Sequence, residues 1–233
     1  MLIGLEKRFV FIANSKAAST SVEKVLSPLS EIIVAGTPQR KHMFLREAIT
    51  AYDVLFGQPG YGPESFFKFG ILRDPIDWVH SWFRYRKGNK VESPLPEGMS
   101  FAEFWAANDW TKFLAPGRRR LQRDFFTDAA GRVIADFIIP YDDLDAQFAR
   151  VCDRLGVKRP LPRENVSRLR SDDEPIPDAL RDEMRAFYAE DYDLLARLPE
   201  INAASLPPAA LPARSPARAG GRAGAKTSKG NAR

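Results

Sequence analysis

The sequence predicts an α/β domain in which helices flank a central parallel sheet. Two observations carry this prediction. Short, continuous apolar segments, typical of strands that are buried on both faces, recur along the chain. Segments with apolar residues at helical spacing follow them, so that strand and helix alternate. The 233 residues, of which 44% are hydrophobic and 11% aromatic, suffice for one hydrophobic core.

The first predicted unit consists of a strand, a loop and a helix. Residues 9–13 form an apolar run that we expect to be the first and central strand, and residues 14–21 form a polar loop after it. The helix that follows carries apolar residues at positions i, i+3, i+4 and i+7. These residues are Val22, Val25, Leu26 and Leu29.

Later segments continue this alternation. Further strands are predicted at residues 32–34, 66–72 and 133–139. Helices are predicted around 44–49, over 75–86, over 101–114, over 144–155 and over 178–198. Asp74 is the predicted cap of the second of these helices, and the fourth is predicted from its apolar stripe.

The basic character of the chain belongs to its last residues. The net charge is +5, but residues 204–233 contain six basic residues and no acidic one, leaving 29 basic and 30 acidic side chains in residues 1–203. The tail is rich in Ala, Pro, Gly and Arg, which cannot bury enough apolar surface to fold. We therefore predict a folded domain over 1–203 and a disordered basic tail over 204–233. A tail without aromatics implies only salt-sensitive attraction to nucleic acid, with no specific recognition.

The one cysteine, Cys152, excludes an internal disulfide framework and a multi-cysteine metal site. Its position in the apolar stripe of a predicted helix indicates a core residue. The sequence shows no spacing typical of metal ligands, so no metal is expected. It also shows neither a signal-peptide pattern nor an apolar run of membrane-spanning length, which predicts a cytoplasmic protein without a transmembrane segment.

The loop at residues 14–21 reads Asn-Ser-Lys-Ala-Ala-Ser-Thr-Ser and lies between a strand and a helix. Unpaired N–H groups at a helix N-terminus, together with hydroxyls and one lysine, suit a phosphate group. The Walker pattern is absent, because Lys16 precedes the small residues, and this disfavours ATP or GTP chemistry. The alternative is an ordinary helix capped by Ser or Thr, with Lys16 in solvent.

A second candidate segment spans residues 72–83. Arg73 follows a predicted strand at its carboxyl end, where open α/β sheets bind ligands, and Ser81 lies about two turns into the next helix. An arginine with a hydroxyl suits a second phosphate. The alternative is that Arg73 pairs with a carboxylate.

Together the two segments resemble sulfotransferases that use 3′-phosphoadenosine 5′-phosphosulfate (PAPS), most closely the carbohydrate branch that includes heparan 2-O-sulfotransferase. Residues 16–21 are similar to the 5′-phosphosulfate loop of that branch, and Arg73-Asp74-Pro75 with Ser81 is similar to its 3′-phosphate motif. Further likeness at 137–144 and 161–167 extends the resemblance over about residues 8–198, and the tail lies outside it. It implies a three-layer, P-loop-like fold, PAPS as the sulfuryl donor, and a hydroxyl of a glycan or small metabolite as the acceptor.

The resemblance also implies residue roles. Lys16 would bind the 5′-phosphate and the bridging oxygen and stabilise charge there, while Arg73 and Ser81 would hold the 3′-phosphate. His42 resembles the histidine that relatives place between the two motifs and is the candidate general base. Helix geometry, in contrast, turns His80 about 100° away from Ser81, which predicts that His80 packs or lies at the surface. The remaining loop contacts would come from the backbone and hydroxyls of Ala17, Ala18, Ser19, Thr20 and Ser21.

The chain departs from the family in two respects. Trp78 stands where relatives often show a second arginine, and the segments 57–65 and 88–98, which would face the acceptor, match weakly. Glu47 and Glu64 are the alternatives to the histidine as base. Two basic segments have both a ligand-binding and a solvent-exposed interpretation: Arg118, Arg119 and Arg120 with Arg123 nearby, and Arg168 with Arg170.

Two other functions remain open from the sequence. One is a P-loop-like kinase of a small molecule, and the other is a non-enzymatic protein that binds anions or nucleic acid through its basic tail. The acceptor and the oligomeric state are not specified by the sequence.

Overall fold

The computed structural model describes residues 1–88, 91, 94–107, 120–162 and 175–206. These residues form a five-stranded sheet with the strand order β3-β1-β2-β4-β5. Strands β2, β4 and β5 run parallel, whereas β1 is antiparallel to both of its neighbours. The strands are β1 (Leu2–Gly4), β2 (Phe9–Ile12), β3 (Ile32–Ile33), β4 (Phe67–Leu72) and β5 (Phe137–Pro140).

The predicted α/β class is confirmed, but the sheet is mixed and not wholly parallel. Strand β2 is central, as predicted, yet it is preceded by β1, which the sequence analysis missed. Only residues 5–8 separate these two strands, and so short a connection can join antiparallel neighbours only. The strand predicted over 133–139 is confined to β5, and Val133 forms a single bridge to Thr127.

The helices flank both faces of the sheet. The predicted last helix is in fact two, and the second continues to Ser205, past the predicted end of the domain at 203. Residues 108–114 of the predicted aromatic helix, and 207–233 of the predicted tail, lie outside the described residues. The helices are α1 (Ser19–Leu26), α2 (Pro38–Lys41), α3 (Leu45–Ala51), α4 (Asp53–Phe56), α5 (Pro75–Gly88), α6 (Phe101–Ala107), α7 (Leu144–Leu155), α8 (Asp178–Phe187) and α9 (Ala189–Ser205).

The core is divided by the sheet because successive strand side chains point to opposite faces. Phe9 and Phe11 of β2 pack on one face with α1 and α7, while Val10 and Ile12 pack on the other with α3 and α9. A third cluster joins α5, α6 and α8. Cys152 is buried on the first face, and burial raises the pKa of its thiol to about 11, which confirms its predicted place in the core.

None of the helices in the described ranges is long and apolar enough to cross a membrane.

Candidate functional site

The loop between β2 and α1 has an unusual backbone. Lys16 and Ala18 both adopt the left-handed conformation, with φ of 58° and 54°, although neither is a glycine. Such residues are uncommon and are found in tight turns, such as the one at Arg8, and in functional loops. Alternation between left-handed and ordinary residues turns successive N–H groups toward one side and makes a concavity that suits anions. Within the described part of the chain, the N–H groups of residues 15–20 have no acceptor.

Helix α5 holds this loop in place. The indole Nε1 of Trp78 donates a hydrogen bond of 2.8 Å to the carbonyl of Ser15. The hydroxyl of Ser15 is itself buried and has no partner among the described residues. Trp78 therefore has a structural role at the loop. Oδ1 of Asn14 is likewise buried without a partner among the described residues, so the loop contains two buried polar atoms that are able to bind a ligand.

Arg73 lies directly after β4 and is 5% exposed. Its Nε and Nη2 atoms both lie 2.5 Å from a carboxylate oxygen of Asp77, and its guanidinium stacks over the ring of Tyr141. The carboxylate pairing that the sequence left open is thus present. In addition, Nη1 donates to the carbonyl of Lys16 at 2.8 Å, so the two predicted phosphate segments meet at the carboxyl edge of neighbouring parallel strands.

A buried glutamine fixes the ends of both strands. Gln122 accepts hydrogen bonds from the side chain of Asn14, at 2.8 Å, and from the backbone N–H of Arg73, at 3.2 Å. It returns a hydrogen bond to the carbonyl of Arg73, and its own N–H donates to Asp191 of α9. Gln122 was not predicted as a site residue, because it is 49 residues from Arg73 and belongs to no motif.

Lys16 lies in a cationic and aromatic environment. Its Nζ atom is 4.0 Å from the ring centroid of Tyr85 and 5.8 Å from that of Trp82. Burial, followed by the charges of Arg73 and Arg84, lowers the pKa of Lys16 from 10.5 to about 8. The lysine is therefore still mostly charged at pH 7, and an anion bound beside it would restore much of its affinity for the proton.

The predicted hydroxyl residues lie on two helices. Ser19, Thr20 and Ser21 form the first turn of α1, where Ser19 and Ser21 are buried and Thr20 is half-buried. Ser81 is buried in the second turn of α5. The backbone of Ala17 and Ala18 completes the loop, and Ala18 is the residue that precedes α1. All of these positions follow the carboxyl ends of β2 and β4.

His42 ends α2 and contacts the same edge of the sheet. Its Nδ1 atom lies 2.6 Å from the carbonyl of Ala13, the residue that follows β2. Because a carbonyl can only accept, Nδ1 carries the proton and Nε2 presents a lone pair. Burial chiefly lowers the pKa of His42 to about 4, with further lowering by Lys41 and Arg120, while the bond to Ala13 raises it. His42 is therefore neutral at pH 7 and able to accept a proton at Nε2.

The other candidate bases are less well placed. Glu47 accepts a hydrogen bond from the N–H of Phe44 at the start of α3. Glu64 lies before β4, at the opposite end of that strand from Arg73. His80 is buried, accepts a hydrogen bond from Arg84 and packs on Phe101, as the predicted packing role requires.

Of the two basic segments, only Arg120 and Arg123 can be placed. Arg120 is largely buried against the rings of Phe44 and Phe125, and its Nη2 donates to the carbonyl of His42 at 3.1 Å. Burial lowers its pKa to about 10. Arg123 pairs with Glu190. Arg118, Arg119, Arg168 and Arg170 lie outside the described residues.

The described residues contain no group of three or more His, Cys, Asp or Glu side chains that could hold a metal ion. No protein-family model matches the chain, and comparison with curated proteins and with solved structures also gave no match.

Proposed function

We propose that this protein is a sulfotransferase that moves the sulfuryl group of PAPS to a hydroxyl of a glycan or small metabolite. The main support for the proposal is the hydrogen bond from Arg73 to the carbonyl of Lys16, because it joins the two proposed phosphate-binding segments at one place. That site lies at the carboxyl edge of the parallel strands, where open α/β folds bind ligands. The proposal includes a P-loop-like arrangement of strand, loop and helix around the 5′-phosphate.

Different residues bind the two ends of the donor that carry phosphate. The N–H groups of residues 15–20 and the ammonium of Lys16 bind the 5′-phosphosulfate, while Arg73 and Ser81 bind the 3′-phosphate. Sulfuryl transfer resembles phosphoryl transfer, in which a protein mainly aligns the partners and stabilises charge on the leaving oxygen. The positive charge of Lys16 stabilises the leaving oxygen as the bond between sulfur and the 5′-phosphate oxygen breaks.

His42 receives the proton of the acceptor. As the acceptor oxygen forms its bond to sulfur, its proton passes to Nε2 of His42, and adenosine 3′,5′-bisphosphate leaves with the electron pair of the broken bond. The bond from Nδ1 to the carbonyl of Ala13 fixes the tautomer that this step needs. The negative charges of a bound donor oppose the effect of burial and raise the pKa of His42 above its value of about 4.

Calorimetric titration with adenosine 3′,5′-bisphosphate tests the donor site. We expect the wild-type protein to bind it, Lys16→Ala and Arg73→Ala to weaken binding strongly, and Lys7→Ala to leave binding unchanged. Lys7 is a suitable control, because it precedes β2 at the opposite end of that strand. Near-wild-type affinity in both site variants would contradict the proposal, and tighter binding of ATP would favour a small-molecule kinase.

Incubation with donor labelled in its sulfuryl group, and with a panel of glycans and metabolites, tests the reaction. Label in a hydroxyl ester of any acceptor supports the proposal. Binding of the bisphosphate without transfer to any acceptor in a broad panel would count against an enzyme.

A further inference from the structure

Helix α5 places three polar residues of the site on one face. Asp77, Ser81 and Arg84 stand at positions i, i+4 and i+7, which lie above one another in an α-helix. Arg73 precedes the helix and reaches the same face through its contact with Asp77. The predicted phosphate ligands Arg73 and Ser81 therefore share this face with Asp77 and Arg84, which the sequence analysis did not select.

One carboxylate connects the two arginines. Oδ2 of Asp77 lies 2.5 Å from Nε and Nη2 of Arg73, and Oδ1 lies 3.4 Å from Nη2 of Arg84. Both arginine side chains are only 6% exposed, whereas the side chain of Asp77 is 36% exposed. The carboxylate can consequently turn toward solvent, while the buried guanidinium groups stay in place.

This cluster is rich in positive charge. Lys16, Arg73 and Arg84 bring three cations close together, and the burial and mutual repulsion of these groups lower the pKa of Lys16. Asp77 is the carboxylate that both arginines share. Arg84 also contacts His80, whose Nδ1 accepts from Nη1 at 2.9 Å. Phosphate oxygens accept hydrogen bonds from guanidinium groups as carboxylate oxygens do, so the two arginines that share Asp77 can bind a phosphate in its place.

We infer that Asp77 takes the place of the donor's 3′-phosphate when no donor is bound, and that Arg84 binds this phosphate together with Arg73. The inference rests on the proposed function and identifies a further ligand of the same site. Trp78, the residue after Asp77, contacts the loop through Ser15. Arg84 supplies the second guanidinium from a later turn of the same helix.

Two nucleotides that differ only in the 3′-phosphate test this inference. We compare adenosine 3′,5′-bisphosphate with adenosine 5′-monophosphate by calorimetry on the wild type, Arg84→Gln, Asp77→Asn and Lys87→Gln. A hydrogen bond between charged groups contributes enough that Arg84→Gln should lose about tenfold or more in affinity for the bisphosphate. The same variant should lose less than about twofold for the monophosphate, which lacks the group that Arg84 binds.

The two remaining variants show whether the carboxylate of Asp77 competes with the phosphate and whether loss of any positive charge on α5 has the same effect. Asp77→Asn removes the competing carboxylate and should bind the bisphosphate more tightly than the wild type does. Lys87→Gln removes an exposed cation from the end of the same helix and should change neither affinity. Equal losses for both nucleotides in Arg84→Gln, or no loss, would overturn the inference.

Circular dichroism shows whether Arg84→Gln folds. If Arg84→Gln does not fold, the Asp77→Asn variant provides the test. Weaker binding of the bisphosphate by Asp77→Asn than by the wild type would overturn the inference. If the wild type binds neither nucleotide, the proposed function fails and the arginine pair is tested with pyrophosphate. Thermal protection by pyrophosphate that is lost in Arg84→Gln or Arg84→Lys supports a phosphate site, and unchanged protection overturns it.

Discussion

Donor binding should weaken as the pH rises through the pKa of Lys16. That pKa is about 8 before an anion binds, because burial and the neighbouring arginines disfavour the charged form. The ammonium is thus present below pH 8 and is lost above it. Phosphate groups have their second pKa near 6, so the nucleotide keeps its charge over this interval.

The expected size of the effect follows from the fraction of charged lysine. With a pKa of about 8, this fraction falls from about 0.9 at pH 7 to about 0.1 at pH 9, and the affinity for adenosine 3′,5′-bisphosphate should fall about tenfold. This corresponds to about 1.4 kcal/mol. Because the bound anion raises the pKa of Lys16, binding at pH 8 should also take up about half a proton.

Calorimetry at pH 7, 8 and 9, in buffers with different ionisation enthalpies, measures both the affinity and the proton uptake. Lys16→Arg is the matched control, since arginine stays charged at all of these pH values and should give a flat profile. An affinity that does not change between pH 7 and 9 in the wild type would refute the reasoning. So would an equal fall in Lys16→Arg.

Three further substitutions test the role of His42 in catalysis, the contact of Trp78 with the loop, and the contacts of Gln122 at the strand ends. His42→Ala should lower turnover by about 10²-fold or more with donor affinity nearly unchanged, and unchanged turnover in the labelled-donor assay would remove His42 from the mechanism. Trp78→Phe loses the bond to Ser15 and should lower the free energy of unfolding by about 1 kcal/mol, measured by urea titration, and weaken bisphosphate binding. Gln122→Leu leaves the buried amide of Asn14 and the backbone of Arg73 without the contacts that Gln122 makes and should cost about 2 kcal/mol or more in the same titration. Wild-type stability of either variant would contradict the assigned contacts.

Much of the fold followed from apolar patterns, and the exceptions have physical reasons. Strand β2 was predictable because it is buried on both faces, so that every position from Phe9 to Ile12 is apolar. Strand β1 comprises three residues only, which is too short for a periodic pattern. The mixed sheet follows from this omission, because β1 is the strand that pairs antiparallel with both neighbours.

The site was predictable only in its local parts. The contact between Arg73 and Asp77 spans four residues, and the sequence already offered a carboxylate partner as an alternative. The contacts of Arg73 with Lys16 and Gln122 span 57 and 49 residues and depend on the register of the sheet. The proposed role of Arg84 depends on its contact with Asp77, which lies two turns earlier on the same face of α5, and no motif of the sequence indicates it.

The left-handed conformation of Lys16 and Ala18 affects how an anion would meet the loop. An alanine or lysine held in this region costs about 1–2 kcal/mol, which a glycine would not. Contacts from Arg73 and Trp78, made within the chain itself, hold the backbone in this shape. The ordering of the loop is therefore complete once the chain has folded, and an arriving anion loses little conformational entropy there. An anion that binds there would meet a shape that is already formed, whereas a glycine-rich segment must first close around its ligand.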